Sequence, residues 1–378
     1  MNIELHLIQN FAPSCLNRDD TNTPKTCYFG GVTRARISSQ CFKRAMRLHM
    51  RDALGLPTGV RTRYLAGVPE LLAARGYDLD EARQRTKDAL VAAGFGMDGE
   101  RTSVGLYLAH DEIATLAEAV AADWDSLQPA DEPPAEKEAG VKGRGKGKGK
   151  SSGIAAPEVE AAVKALTNRV GSADIALYGR MIAENTNLNV DAACQVAQAI
   201  STHEVETEMD FFTAVDDLQP EEEPGAGMMG HQEFSSACFY RYALVQTGQL
   251  LANLEGNTEL TRQTILAFVR AAIEAIPSAR QNSHAAQNRP SFVQVVAGAD
   301  LPVSLANAFE RPIRPRPGES LVALSVESLL RHQQDLMSTY QLVGHGERRS
   351  LSVIAEHPGD GSDRELVDWV AGKLQEAV

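Results

Sequence analysis

The sequence lacks the patterns that mark several large classes of protein. No segment reaches the roughly 18 consecutive apolar residues that a membrane-spanning helix needs. The first stretch, MNIELHLIQN, carries Glu4 and no Lys or Arg, so it does not resemble a secretory signal peptide. We therefore expect a protein without membrane contact whose compartment is the cytoplasm.

Cysteine and the usual metal ligands are also sparse. The five cysteines include no C-x-x-C pair, which indicates neither a zinc site nor a disulfide framework. His203, His231 and His284 stand alone, without further ligands at metal-binding spacing. No Ser/His/Asp or Cys/His arrangement supports nucleophilic catalysis. We accordingly predict no catalytic residue, no metal and no cofactor.

What the sequence has is a local excess of positive charge in an acidic chain. The formal net charge is -13 at pH 7, yet residues 1–51 contain eight Lys or Arg residues against three acidic ones. The rest of the chain is correspondingly more acidic. Such asymmetry is typical of a protein that binds a polyanion on one face only.

The excess lies in the segment NRDDTNTPKTCYFGGVTRARISSQCFKRAMR, residues 17–47. The pattern predicts a strand over residues 2–9, a long loop, and a helix from Ser38 or Ser39 to about Leu54. One face of this helix carries positive charge from Lys43, Arg44, Arg47 and Arg51. A solvated basic helix face is the plain interpretation, and a phosphate-binding surface is the functional one.

The loop before the helix favours the functional interpretation. Arg34 and Arg36 point the same way if their segment is extended. The pair Gly30–Gly31 would let the backbone approach a ligand closely, and the SSQ stretch places hydroxyl and amide groups at a helix N-terminus. Together these groups predict a surface that binds phosphates without reading sequence.

Two carboxylates, Asp19 and Asp20, lie inside the same loop. Beside a phosphate-binding surface they could bind Mg²⁺ and cleave RNA, or one could act in general acid/base cleavage. Such residues more often cap a turn or pair with a neighbour such as Arg18. Two neighbouring acids are also few oxygen ligands for a metal site.

An aromatic pair, Phe211 and Phe212, lies in the stretch EMDFFTAVDDL. A phenylalanine pair usually belongs to a core. In a strand, however, adjacent side chains point to opposite faces, so one ring can face solvent and stack on a nucleobase.

The order of elements predicts an α+β fold. After Gly171 we predict a strand in DIALYGRM, a helix over residues 190–200, a hairpin arm around the Phe pair, a long strand in EFSSACFYRYALV, a helix over 265–276 and a strand in SFVQVV. Residues 57–170 look helical and self-contained. The best match is a ferredoxin-like (RRM-like) domain formed by residues 1–56 and 171–378, interrupted by the helical insertion 57–170; a doubly wound fold is the alternative.

The stretch from residue 128 to residue 153 is rich in Pro, Gly and Lys, and we expect a disordered loop there. Within it, RGKGKGKS nearly matches a nucleotide-binding phosphate loop. Arg144 replaces the first glycine of that motif and no buried strand precedes it, so we reject ATP binding. The loop is either a plain linker or a basic tether for a nucleic-acid backbone, using Lys142, Arg144, Lys146, Lys148 and Lys150.

Several long stretches resemble CasC, the family of repeated backbone subunits of Cascade, the type I-E CRISPR surveillance complex. They are PSCLNRDDTNTPKTCYFGGVTRARISSQCFKRAMR, DIALYGRM, AQAISTHEVETEMDFFTAVDDLQ, QEFSSACFYRYA and LANAFE, in the same order as in the family. The resemblance implies a right-hand shape, with an RRM-like palm, a helical finger domain (57–170) and a β-hairpin thumb (about 203–230). It also implies head-to-tail stacking along the guide RNA and no cutting by the subunit itself.

The resemblance implies a role for particular residues. Contacts to the guide-RNA (crRNA) backbone would come from Arg18, Lys25, Ser38, Gln40, Lys43 and Arg47, with Arg34 and Arg36 as further candidates. Phe211 and Phe212 fall where the thumb displaces a base, although the family pattern has Trp before Phe.

The implied partners are crRNA, target DNA, other copies of the chain in a hexameric backbone, and other Cascade subunits. The alternative function is a metal-dependent endoribonuclease that uses Asp19 or Asp20, as in type III backbone subunits.

Overall fold

The structure is a computed structural model that describes residues 1–127, 156–166, 172–182, 185–214, 217, 228–299, 301–342 and 346–377. Its helices are α1 (Ser39–Asp52), α2 (Val68–Ala74), α3 (Leu79–Ala92), α4 (His110–Ala122), α5 (Pro157–Ala165), α6 (Ala173–Tyr178), α7 (Thr247–Asn253), α8 (Thr258–Glu274), α9 (Gln281–His284), α10 (Leu321–Thr339) and α11 (Asp363–Ala377). Its strands are β1 (Asn2–Ser14), β2 (Thr26–Phe29), β3 (Val32–Ile37), β4 (Val60–Thr62), β5 (Met97–Asp98), β6 (Arg101–Thr102), β7 (Leu106–Leu108), β8 (Cys194–Val196), β9 (Ala199–Ser201), β10 (Glu208–Ala214), β11 (Met228–Gln246), β12 (Phe292–Ala299) and β13 (Glu347–Ser352).

The chain forms two compact units. Unit 1 contains Met1–Leu56, Cys194–Gly248 and Thr261–Val378, and unit 2 contains Pro57–Ala193 and Gln249–Leu260. The first expected boundary, at residue 56, coincides with the end of the first segment of unit 1. The second differs, because residues after 171 that the sequence assigned to the palm belong to unit 2. In the described part of the chain, no helix combines the length and the apolar character needed to cross a membrane.

A single antiparallel sheet organises unit 1. Its strand order is β13-β12-β1-β11-β9-β3-β2, and β8 and β10 also pair with β11. The central strand β1 runs antiparallel to both β11 and β12. This antiparallel sheet, with its helices, confirms the mixed α+β class predicted from the sequence.

Both faces of β1 are buried, which the alternation of its sequence did not indicate. Ile3, Leu5 and Leu7 are buried, but so are the intervening Glu4 and His6. The phenol of Tyr242 donates to Glu4 Oε2 (2.7 Å), and the His6 ring lies within hydrogen-bonding distance of Tyr240 Oη (3.0 Å). Buried polar groups of this kind persist because they are hydrogen-bonded.

Two predictions of local structure were wrong. DIALYGRM does not form the predicted strand: Asp174–Tyr178 lie in α6, and Arg180 makes an isolated bridge with Val190. The Asp174 carboxylate accepts hydrogen bonds from the backbone N–H groups of Gly59 and Ile175 (2.8 and 2.9 Å), which holds the start of this helix. The segment 190–200 forms β8 and β9 and not a helix. Both strands pair with the long strand β11, so sheet hydrogen bonds override the helical preference of an alanine-rich segment.

A buried ion pair organises unit 2. Arg180 donates to both carboxylate oxygens of Glu112 (2.9 Å each) and to the carbonyl of Leu188 (2.7 Å), and the pair is almost fully shielded from solvent. Burial raises the pKa of the Glu112 carboxyl, and the positive charge of Arg180 opposes only part of this shift. Next to the pair, the Tyr107 hydroxyl donates to Asp174 Oδ2 (2.5 Å). The DIALYGRM stretch therefore contributes an internal polar network.

We predict that Arg180→Met lowers the stability of unit 2 by about 3–5 kcal/mol, because Glu112 is then left as a buried charge without its partner. Urea unfolding measured through Trp124, in a Trp369→Phe background, reports on this unit, since the chain has two tryptophans. The control is Arg75→Met, because Arg75 pairs with Glu118 at the surface (3.4 Å) and its loss costs less than about 1 kcal/mol. Equal effects of the two substitutions would contradict the prediction.

Candidate nucleic-acid interface

Helix α1 separates its apolar and basic side chains on different faces. Phe42, Met46 and Met50 are buried against the sheet. The opposite side presents Gln40 and Arg44 to solvent and leaves Lys43 and Arg47 half-buried. Arg51, which extends the same face, forms a bidentate pair with the adjacent Asp52 (2.6 and 3.1 Å). The basic face predicted from the sequence therefore exists, with its charge concentrated in the first three turns.

The N-terminus of α1 is closed by its own cap. Ser38 is buried, and its hydroxyl accepts a hydrogen bond from Cys41 N (3.3 Å). The backbone N–H of Ser38 donates to Asn17 Oδ1 (2.8 Å). The Ser38 hydroxyl thus serves first as an N-cap, which satisfies a backbone N–H that would otherwise lack a partner.

Asn17 holds the loop of residues 17–25 against this helix end. Its carbonyl accepts from Lys25 N (2.9 Å), while its side chain accepts from Ser38 N. Arg18 lines the same pocket as Cys41 and Arg44 of α1. Burial raises the pKa of the Cys41 thiol, and the charges of Lys25 and then Arg44 oppose this shift, so Lys25 also lies near this end of the helix. We call the surface formed by Arg18, Lys25, Arg36, Gln40, Lys43, Arg44 and Arg47 the basic surface. No local pattern singles out Asn17, because its role is to join the 17–25 loop to the cap of α1.

Asp19 organises the loop through its carboxylate. Asp19 Oδ1 accepts from Thr21 N, Thr21 Oγ1 and Thr23 N at 2.8–3.0 Å. The hydrogen bond from the Thr21 hydroxyl is the main cause that lowers the pKa of this carboxyl. This arrangement is the turn-capping role weighed from the sequence. Asp20 is exposed. Among the described residues, no group of three or more His, Cys, Asp or Glu side chains is arranged to hold a metal.

Arg34 does not belong to the basic surface, which corrects the prediction. Its side chain is 0% exposed. The guanidinium donates to the carbonyls of Phe29 (3.1 Å), Ser201 (3.1 Å) and Phe309 (2.7 Å), with a longer contact to that of Glu310 (3.4 Å). Burial lowers the pKa of Arg34, and no phosphate could reach its donors without displacing these carbonyls.

The glycine pair also serves the fold. Gly30 and Gly31 have φ angles of 60° and 82° and form the turn between β2 and β3. A Cβ atom on Gly30 would lie 1.6 Å from the carbonyl oxygen of Glu310. The close approach that we assigned to a ligand is therefore made by another part of the same chain.

Arg36 lies two residues from Arg34 on β3 but remains half-buried. Its Nε donates to the Thr26 carbonyl (3.2 Å), and its Nη1 contacts the side-chain oxygen of Gln198. Since some of its surface remains accessible, Arg36 is counted in the basic surface.

The aromatic pair lies on a two-stranded hairpin formed by β10 and the first part of β11. Phe211 is 55% exposed and Phe212 is 39% exposed, and the strand places them on opposite faces. Phe212 covers Gly230, its cross-strand partner, so closely that a Cβ there would lie 2.6 Å from the ring. Phe211 pairs with His231, with ring centroids 5.4 Å apart. Neither ring belongs to the core.

The base of this hairpin is fixed by groups that the sequence did not identify. The Gln232 amide nitrogen donates to His284 Nε2 (2.7 Å), and the Phe234 ring packs near the same histidine.

Burial raises the pKa of the Cys15 thiol, and the guanidinium groups of Arg280 and then Arg18 oppose that shift. Arg280 therefore adds positive charge next to Arg18. The sequence did not indicate this role for Arg280, because it is a single arginine outside any basic cluster.

The candidate DNA contacts Lys142, Arg144, Lys146, Lys148 and Lys150 lie outside the described residues. They stay a prediction from the sequence.

We predict that Arg34→Met destabilises unit 1 by about 3 kcal/mol or more, because several carbonyls lose a charged donor at once. Urea unfolding measured through Trp369, in a Trp124→Phe background, tests this. The matched control is Arg44→Met, an exposed arginine of the same unit, which should change stability by about 0.5 kcal/mol or less. Indistinguishable midpoints for the two variants would refute the structural role.

The comparison with solved structures found close folds. A chain of a "CRISPR RNA-guided surveillance complex, pre-nicking" superimposes with a TM-score of 0.82 and 29% identity, covering 99% of this chain and 100% of the other. A chain of a "CRISPR RNA-guided surveillance complex" gives a TM-score of 0.72 and 24% identity, covering 98% and 99%. The comparison with curated protein sequences found no match. A family model described as "CT1975-like protein" matches residues 3–376, and the chain belongs to this family.

Proposed function

We propose that the chain is a non-catalytic guide-RNA scaffold of a type I-E Cascade surveillance complex. The observation that carries the proposal is the basic surface, which draws residues from the 17–25 loop, from β3 and from the solvent-facing side of α1 in a chain that is acidic overall. The fold supports the same conclusion, because it matches a chain of a solved RNA-guided surveillance complex over 99% of this chain. The chain acts in the cytoplasm, in antiviral defence.

In this proposal, unit 1 is the RRM-like palm, unit 2 is the finger domain, and the β10–β11 hairpin is the thumb. Several copies stack head to tail along one crRNA, six in the family, and meet the other Cascade subunits at the ends of the array. A repeated heterologous contact of this kind generates an open helical array. Target DNA is the second nucleic-acid partner.

The chemistry of the basic surface suits a guide scaffold. Guanidinium and ammonium groups bind phosphates through charge and hydrogen bonds, and phosphates are the same in every guide. Reading of the target is then left to base pairing between guide and DNA. The hairpin adds a sequence-independent element, because an exposed phenylalanine can stack on any base.

We predict that Lys43→Gln with Arg47→Gln weakens guide binding equally for every spacer. Each lost phosphate contact on a single strand should lower the slope of log affinity against log salt by about 0.7. Binding isotherms of the co-expressed complex with several guides, at a series of salt concentrations, measure both quantities.

The control for this variant is Arg331→Gln with Arg364→Gln, which removes two exposed arginines of unit 1 that pair with neighbours on their own helices. The control should bind guides as the unmodified chain does. A loss confined to some spacers, or an equal loss in the control, would count against the proposal.

We predict that Phe212→Ala leaves assembly on the guide intact and removes the periodic distortion of the target strand. Permanganate reactivity of unstacked thymines, read along the bound DNA, reports this distortion at single-base resolution. Thr213→Ala, a neighbour on the same exposed strand, is the control and should keep the periodic pattern. Failure of Phe212→Ala to fold, measured by thermal unfolding, would instead identify Phe212 as a packing residue.

A further inference from the structure

His203 lies where the chain leaves the sheet of unit 1 and enters the β10–β11 hairpin. Strand β9 ends at Ser201 and β10 begins at Glu208. We call the segment between them, residues 202–207, the hairpin root; none of its six residues lies in a strand. The backbone N–H of Cys238, on β11, donates to His203 Nε2 (3.2 Å). The histidine ring therefore joins the hairpin root to the strand on the other side of the hairpin.

Both ring nitrogens of His203 have partners of fixed polarity. Nδ1 lies 2.8 Å from the carbonyl oxygen of Glu204, which can only accept, so Nδ1 carries a proton and donates. Nε2 faces the backbone N–H of Cys238, which can only donate, so Nε2 accepts. The ring is therefore neutral, with its single proton on Nδ1. A second proton, on Nε2, would face the Cys238 N–H and break that hydrogen bond.

The ring supplies an acceptor that the backbone of the sheet does not. Thr202 N donates to the Cys238 carbonyl (2.8 Å), as in a regular antiparallel pair. The Thr202 carbonyl would normally complete that pair, but it accepts from Ile313 N instead (3.0 Å). Cys238 is fully buried, so water cannot readily replace the ring. Loss of the ring acceptor would leave a buried backbone N–H without a partner, which is costly.

The surroundings of the ring oppose a second proton. Burial is the main cause that lowers the pKa of His203; the hydrogen bond to the Glu204 carbonyl opposes this shift, and the charge of Arg34 adds to it. The Glu204 carboxylate is paired with Arg314 at the surface (3.4 Å). Burial also raises the pKa of the Cys238 thiol to about 11, so this group stays uncharged near neutral pH.

We propose that the neutral ring of His203 positions the β10–β11 hairpin, and that protonation of Nε2 releases the hairpin root from β11. A released ring binds a proton near pH 6.5, as an ordinary histidine does, whereas the held ring does not, so release takes up one proton. The hydrogen bond to Cys238 therefore contributes fully above about pH 6.5. Its contribution decreases as the pH falls below that value towards the lower pKa of the held ring.

This inference goes beyond the proposed function, because it concerns how the chain holds its own hairpin. Hydrogen exchange of the full-length chain, followed by peptide mass spectrometry from about pH 5 to about pH 7.5, measures the opening. After correction for intrinsic exchange rates, protection of the peptides that contain Val205 and Cys238 should fall up to about tenfold per pH unit below about pH 6.5. Peptides from α3, which contains no histidine, should show no such slope.

Two substitutions of His203 separate the acceptor from the titration. The side-chain oxygen of His203→Gln can accept from Cys238 N but does not titrate, so protection should be retained and the slope should disappear. His203→Ala removes the acceptor, so protection should fall about fivefold or more, even at pH 7.5. The matched control is His357→Gln, a half-buried histidine of the same unit, which should keep the slope of the unmodified chain.

A slope that persists in His203→Gln would assign the proton to another group and overturn the proposal. The absence of a slope in the unmodified chain would also overturn it, and this measurement remains decisive if a His203 variant fails to fold. No nucleic acid is present in the experiment. Its outcome is therefore independent of whether the chain binds a guide RNA.

Discussion

The guanidinium of Arg34 is the contact on which the geometry of the basic surface depends. It bonds to the end of β2, to β9 and to the 3₁₀ turn that ends at Phe309, three parts of the chain that are far apart in sequence. Because one planar guanidinium bonds to all three, it fixes the β2–β3 hairpin relative to β9 and to the turn at Phe309. Strand β3 leads directly into the cap of α1. The exposed groups around that helix end are therefore placed by a buried arginine.

Arginine has two separate tasks in this molecule. Arg34, Arg180 and Arg241 are buried, and each is tied to internal acceptors. Burial lowers the pKa of Arg241 to about 9, and its guanidinium lies 4.0 Å from the centroid of the Phe42 ring on the buried face of α1. The charge count of the first 51 residues thus overstates the charge available to a ligand, since Arg34 lies inside the protein.

The sequence predicted the elements that follow from patterns among neighbouring residues. It missed the features that depend on contacts with residues far away in the chain. The basic face of α1, the exposed Phe211–Phe212 hairpin and the α+β class follow from periodicity, strand alternation and element order. Arg34 has the same local signature as Arg36, and only the carbonyls of Ser201 and Phe309 make it internal. The helix predicted over 190–200 is absent because this segment forms β8 and β9, which both pair with the distant strand β11.

The length of β11 explains how the hairpin can hold apolar side chains in solvent. An isolated two-stranded hairpin is marginally stable in water, and Met209, Phe211, Met228 and Met229 are all exposed on this one. β11 runs 19 residues, from this exposed end to a buried end at the centre of the sheet, where Tyr240 and Leu244 pack in the core. The energy that orders the hairpin therefore comes from the sheet, and its rings need no core contacts of their own. They remain accessible to a flat aromatic partner such as a nucleobase.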